Sequence, residues 1–255
     1  MALLYVAIFG YLLLSPADED PLGSPWLEAC RQVCAEYGLI PSGDIKADAQ
    51  EYLQAAQKQQ LSESLEAILV HTDVPRAKSE AHPLLGQTAP DFNLSCVAGT
   101  PVSLRDLNQN GPVVLVFYYG YGCSHCVAQL FALQEDLHYF RELGATVVAI
   151  SADAPESTLE KYVEYGAFDF TVLSDPDYSV AEAYSVYRRP TDEQSEDLLH
   201  GTFVIDRSGQ VIFANRGYQP FIDNPSLLRW IADSETGADR TTLDVAVRAT
   251  TEDDR

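Results

Sequence analysis

The chain has 255 residues, 46% hydrophobic and 10% aromatic, enough apolar material to close a sizeable core and too much for a disordered or fibrous protein. Its 16 Lys and Arg stand against 38 Asp and Glu, a formal charge of -22 spread along the whole length, which repels phosphate backbones and anionic lipid. Nucleic acid and membrane lipid are thereby excluded as expected partners, and five cysteines are too few for a disulfide-built mini-protein.

Residues 1–15 form an apolar segment in which Met1 to Leu14 carry no charge. A helix that crosses a bilayer needs roughly twenty residues, so a transmembrane anchor fits poorly. The length suits a signal peptide, with Ser15-Pro16-Ala17 as a small-x-small cleavage site, but no basic residue precedes it; the competing reading is a buried helix. Location stays open, cytoplasmic slightly favoured and exported if residues 1–17 are a signal peptide.

Residues 16–83 read as a helical region and a linker. Trp26, Leu27, Cys30, Val33, Cys34 and Tyr37 recur at spacings of three and four until Gly38 stops the run. Ala49, Tyr52, Leu53, Ala56, Leu61, Leu65, Ile68 and Leu69 repeat the period, with a break between two helices near Gln60. Cys30 and Cys34 lie one turn apart, an awkward spacing for a mutual disulfide, and are expected to be small buried hydrophobes. His71 to Pro83, with charges and two prolines, reads as the linker.

From Leu84 the elements alternate. Asp91 to Leu94 and Pro101 to Leu104 give short β signals, and Val113 to Tyr119 is a run suited to a fully buried central strand. A helix with Val127, Leu130, Phe131, Leu133, Leu137 and Phe140 on its inner face follows, capped by Gly144. Thr146 to Ser151 and Phe170 to Leu173 read as strands, Glu156 to Tyr165 and Tyr178 to Tyr184 as helices. Thr202 to Ile205 and Gln210 to Ala214 form a hairpin across Asp206-Arg207-Ser208-Gly209, before a helix over Pro225 to Ile231. That order predicts an α/β, thioredoxin-like three-layer fold with a mixed central sheet over residues 84–235, preceded by a small helical N-terminal segment. Residues 236–255 read as an acidic mobile tail.

The chemistry is expected where the central strand feeds its helix, in Cys123-Ser124-His125-Cys126. Two cysteines three apart in a first helical turn can close a small disulfide, and the free amides and macrodipole there stabilise a thiolate, the reacting species. His125 between them adds a charge or a hydrogen bond. Tyr119, Tyr121 and Gly122 are expected to shape the substrate pocket, the tyrosines walling out water. A zinc site using Cys30 and Cys34 as the other ligands fits poorly, because a three-residue gap inside a helix does not match a zinc knuckle. No metal and no cofactor are expected.

Gly86-Gln87-Thr88-Ala89-Pro90-Asp91-Phe92, Val114-Leu115-Val116-Phe117-Tyr118, Val147-Val148-Ala149-Ile150-Ser151-Ala152-Asp153, Leu173-Ser174-Asp175 and Thr202-Phe203-Val204-Ile205-Asp206, in this order, resemble the landmarks of the AhpC/TSA peroxiredoxin family. The resemblance covers residues 84 to about 232 and implies a thiol peroxidase that reduces hydrogen peroxide or alkyl hydroperoxides through a cysteine sulfenate. The family's P-x-x-x-T-x-x-C pattern falls with Tyr119 on the Pro, Cys123 on the Thr and Cys126 on the peroxidatic cysteine. The family's Arg, three residues before the Phe of the Thr-Phe-x-Ile-Asp strand, is here His200, a hydrogen-bond partner expected to titrate near neutrality. The implied catalytic set is Cys126, Cys123, His125 and His200, with a Cys123–Cys126 redox disulfide.

Implied partners are a peroxide or disulfide substrate and a reducing thiol donor such as thioredoxin, with a homodimer as an open option. A thioredoxin-like thiol-disulfide oxidoreductase with Cys123 as nucleophile is the alternative reading. It would place a cis-Pro beside the pair, and Pro190 reads instead as a turn former. A copper-binding Sco-like protein is the third reading, with one residue too few between the cysteines. His71, His82 and His138 read as surface or helix residues, and Cys96 as packed.

Overall fold

The computed structural model describes residues 32–40, 42–71, 75–121 and 124–236. The apolar segment at 1–15, Trp26, Leu27, Cys30 and residues 237–255 of the tail lie outside the described residues.

Local rules carry the N-terminal region as expected. Residues 32–36 are helical, and Gly38 takes φ 70 and ends the helix; its N–H donates to Ala35 and that of Leu39 to Cys34, a paired closure that fixes where Cys34 sits. Helix α1, Ile45–Ala55, starts where Asp44 accepts from the Ala47 N–H, and α2, Leu65–Val70, where Ser64 accepts from Ala67. The break foreseen near Gln60 falls between them.

The sheet has seven strands: β1 Asn93–Cys96, β2 Pro101–Ser103, β3 Val113–Phe117, β4 Thr146–Ser151, β5 Thr171–Ser174, β8 His200–Ile205 and β9 Val211–Gly217. Their order is β2-β1-β5-β4-β3-β8-β9, and the sheet is mixed: β3 runs parallel to β4 and antiparallel to β8. Every residue of β3 is buried, because both faces of this strand are covered. One face packs against α4, Ser124–Glu142, and α7, Asn224–Thr236, and the other against α6, Ser179–Ala183. Pro at N1 opens α5, Pro155–Tyr165, and Gly209 at φ 82 closes the β8–β9 hairpin. This is the thioredoxin-like α/β architecture the element order predicts.

A two-stranded ribbon that the sequence did not signal, β6 Tyr187–Arg188 with β7 Asp197–Leu198, lies either side of residues 189–196. Three expectations need correction. The Leu104 end of the second β signal is a short helix, α3, Leu104–Asn108, started by Ser103. The segment 71–83 is no loose linker over its described residues. Glu80 donates its N–H to Ala214, Ala77 to Ser226 Oγ, and the Arg76 guanidinium lies 3.6 Å over the Trp230 ring, so this stretch straps β9 and α7. His82, expected at the surface, is buried. Its Nε2 meets the Tyr184 carbonyl at 3.2 Å and its Nδ1 accepts from the Leu84 N–H at 3.1 Å; burial pushes its pKa down, with Arg216 acting the same way.

The helical N-terminal segment joins the same core. Ile45, Leu65 and Ile68 pack with the α4 and α7 side chains, while Val33, Ala49, Tyr52 and Leu53 close against Ala128 and Ala132 of α4. Lys58 is almost fully covered and pairs with Glu135 at 2.8 Å and Asp136 at 3.2 Å; Asn224 donates to the same Asp136 at 2.7 Å. Among the described residues no helix is long and apolar enough to cross a membrane.

Candidate active site

The site forms where β3 ends and α4 begins. Gly120 holds φ +99 there, and a Cβ on it would come within 2.6 Å of the Asp153 carboxylate, which accepts from the Tyr121 N–H at 3.0 Å. Asp153 thus reaches from the end of β4 and pins the turn that leads into α4. Burial raises its pKa, and the bonds from Tyr121 and Ser151 oppose that rise.

The first turn of α4 points three successive side chains three ways. His125 faces the N-terminal segment, Cys126 faces the core shared with Leu115, Phe117 and Phe203, and Val127 faces the core shared with α7. Cys126 has no exposed surface and His125 only 1%. The Nε2 of His125 lies 3.9 Å from the Cys126 sulfur. Its Nδ1 lies 2.9 Å from the sulfur of Cys34, which the helix at 32–36 presents across the seam, and the Tyr52 ring sits 5.3 Å from the imidazole. Cys34 is therefore no bystander hydrophobe: one buried imidazole stands between two buried thiols. Helical period alone showed Cys34 on a buried face; it could not show what that face meets.

His200, the first residue of β8, lies tilted against the Tyr119 ring at 4.1 Å and 6.0 Å from the His125 ring. Neither of its ring nitrogens makes a hydrogen bond of good geometry. Burial first, and the neighbouring His125 second, push its pKa down to about 3, against which the backbone at Tyr218 and Gly217 acts weakly. Burial thus works against the expected titration near neutrality and favours the neutral ring.

The predicted site residues divide accordingly. Cys126, His125, His200 and Tyr119 come together. Tyr121 turns the other way, 5.6 Å from the Tyr118 ring and 5.7 Å from Tyr165, in a tyrosine group beside Asp153 where burial raises the pKa of each. Gly122, Cys123 and with them the Cys123–Cys126 disulfide lie outside the described residues. Besides Cys34, sequence reasoning missed Gln129, one turn after Cys126, whose Nε2 donates to Thr202 Oγ1 at 2.8 Å. A glutamine on the inner side of an apolar helix was its only signal. Among the described residues no group of three or more His, Cys, Asp or Glu gathers as a metal site would need.

Comparison with known proteins bears on the family and the fold. Over 151 residues the chain is 28% identical to peroxiredoxin Bcp of Escherichia coli, which covers 58% of this chain and 95% of that protein. Over 132 residues it is 35% identical to alkyl hydroperoxide reductase E of Mycobacterium tuberculosis, covering 51% and 83%. The reduced 2-Cys peroxiredoxin of Plasmodium vivax shares the fold, with TM-score 0.52 at 23% identity over 60% of this chain and 98% of that one. Residues 85–214 match the AhpC/TSA family, and the chain belongs to it.

Proposed function

We propose that the protein is a thiol peroxidase that reduces hydrogen peroxide or alkyl hydroperoxides, with Cys126 as the attacking sulfur and Cys123 as its resolving partner. The observation that carries this is the Cys126 thiol in the first turn of α4, within 3.9 Å of a His125 ring nitrogen, in a chain of the AhpC/TSA family. The helix N-terminus and an imidazole N–H both favour the thiolate. Relatives named peroxiredoxin and alkyl hydroperoxide reductase support the substrate class.

In this reading the Cys126 thiolate attacks one peroxide oxygen, the O–O bond breaks, and the alkoxide or hydroxide leaves with a proton; Cys126 becomes a sulfenic acid. The Cys123 thiol then displaces water to give the disulfide, and an external dithiol such as thioredoxin returns both sulfurs to thiols while becoming a disulfide itself. Tyr119 walls the site beside His200, and Tyr121 and Gly122 directly precede Cys123 in the sequence. Because Cys126 has no exposed surface, peroxide reaches it only when the packing around the start of α4 opens.

That burial also favours a second reading, in which Cys123 is the nucleophile of a thiol-disulfide oxidoreductase and the covered Cys126 resolves the mixed disulfide. The deciding experiment mixes reduced protein with hydrogen peroxide in stopped flow, with Cys123→Ser and Cys126→Ser measured separately. Peroxide consumption lost in Cys126→Ser but retained for one turnover in Cys123→Ser supports the peroxidase. Inertness toward peroxide with rapid reaction toward a protein disulfide supports the alternative.

Residues 84–235 are here the redox unit, 16–83 a helical extension of it, and 1–15 and 236–255 its ends. A homodimer completes the reading, with exposed Leu159 and Val163 one turn apart on α5 as an apolar strip; a single-chain mass in sedimentation would remove it.

A further inference from the structure

The N-terminal helical segment lies before the stretch that matches the family, yet it places a thiol against the site. Cys34 Sγ approaches His125 Nδ1 at 2.9 Å, and the opposite ring nitrogen of the same imidazole faces Cys126 Sγ at 3.9 Å. Position 34 is fixed by the Gly38 closure, and the seam around it is filled by Val33, Ala49, Tyr52, Ala128 and Ala132. A neutral imidazole carries one proton, and the partner of one nitrogen decides which nitrogen holds it.

We infer that Cys34 is a positioning residue of the peroxidatic site: its S–H donates to Nδ1 of His125 and so keeps the ring proton on Nε2, directed at Cys126. In that tautomer His125 donates to the Cys126 sulfur, an interaction long with the thiol and shortening when the sulfur ionises. In the other tautomer a lone pair would face the thiolate and oppose it. Other titratable groups stand around the imidazole. From α1, Asp48 is engaged by the Ser42 N–H and hydroxyl and the Gly43 N–H, while Glu51 and Tyr52 line the cleft beside the pair; from the sheet, His200 lies 6.0 Å away, with Tyr119, which follows β3, against it.

The inference rests on Cys126 as the reacting thiol, and its test is independent of peroxide turnover. Alkylation of Cys126 by iodoacetamide is followed across pH in the full chain, with fragmentation mass spectrometry separating it from the other cysteines. Cys34→Ala is expected to move the midpoint upward by about one pH unit and to slow alkylation about tenfold below it, the effect of one hydrogen bond to a charged group. Cys34→Ser, whose hydroxyl still donates, is expected to keep the wild-type profile. Val33→Ala, which loosens the same seam without touching His125, is expected to leave the midpoint in place.

An unchanged midpoint in Cys34→Ala, or equal shifts in Cys34→Ala and Cys34→Ser, overturns the inference. Nitrogen NMR of the labelled imidazole in the unaltered protein gives the same answer without a variant: a proton on Nε2 is expected, and a proton on Nδ1 overturns it. If these outcomes hold while peroxide is not consumed, the peroxidase reading fails and the positioning of His125 stands.

Discussion

Cys34 and His125, 91 positions apart, meet sulfur to ring nitrogen at 2.9 Å. The contact makes the helical segment a structural part of the candidate site, since removing that segment would uncover both the imidazole and the α4 turn that carries Cys126.

The α1–α4 seam depends on small residues. Ala49, Ala128 and Ala132 have no exposed surface, so the helices approach closely. Ala128→Leu is expected to overpack the crossing and lower stability by about 1–3 kcal/mol, read from denaturant midpoints at unchanged slope. A stability within error of wild type would mean that α1 is held loosely.

Lys58 anchors the same segment through a covered ion pair. The Asp136 pKa is already raised by burial, with the Asn224 bond and the Lys58 charge opposing the rise. Lys58→Met leaves that carboxylate buried with Asn224 alone, and about 3–5 kcal/mol of destabilisation is expected. Combining it with Asp136→Asn is expected to recover much of the loss, and a double-mutant cycle without coupling would refute the pairing.

Acid should unfold the protein partly through His200. Its folded pKa of about 3 lies below the ordinary value of 6.5, so between those values the unfolded chain binds the extra proton and stability falls as pH falls. Buried His82 acts in the same direction, whereas Asp136, Asp153 and Asp175, raised by burial, lose stability as pH rises. Comparison of wild type with His200→Gln isolates the histidine: the wild-type melting temperature is expected to drop more steeply from about pH 6.5 downward. Parallel curves would show that His200 is not held neutral by burial.

Gly120 should tolerate no side chain. Gly120→Ala meets a positive φ and the Asp153 carboxylate together, with an expected cost of about 1–3 kcal/mol. A displaced turn is also expected to slow peroxide consumption, because it leads directly to the cysteine pair. Wild-type turnover and melting together would show that the turn is not set by Asp153.

The order of strands and helices was legible because each element is locally signed: the apolar run Val113–Phe117 for a strand covered on both faces, the three-and-four spacing on α4, and glycines at positive φ for its end and for the hairpin. The ribbon at Tyr187–Arg188 and Asp197–Leu198 was not, since two-residue strands carry no period. The string of landmarks likewise announced the family. What spacing could not supply were relations across elements. Burial lowers the pKa of His200, and the packing of the helix at 32–36 against α4, not the period of either helix, brings Cys34 to His125. A sequence records which residues share a face; only the packed chain decides what that face meets, because the energy of the meeting depends on distance, solvent exclusion and neighbouring charge.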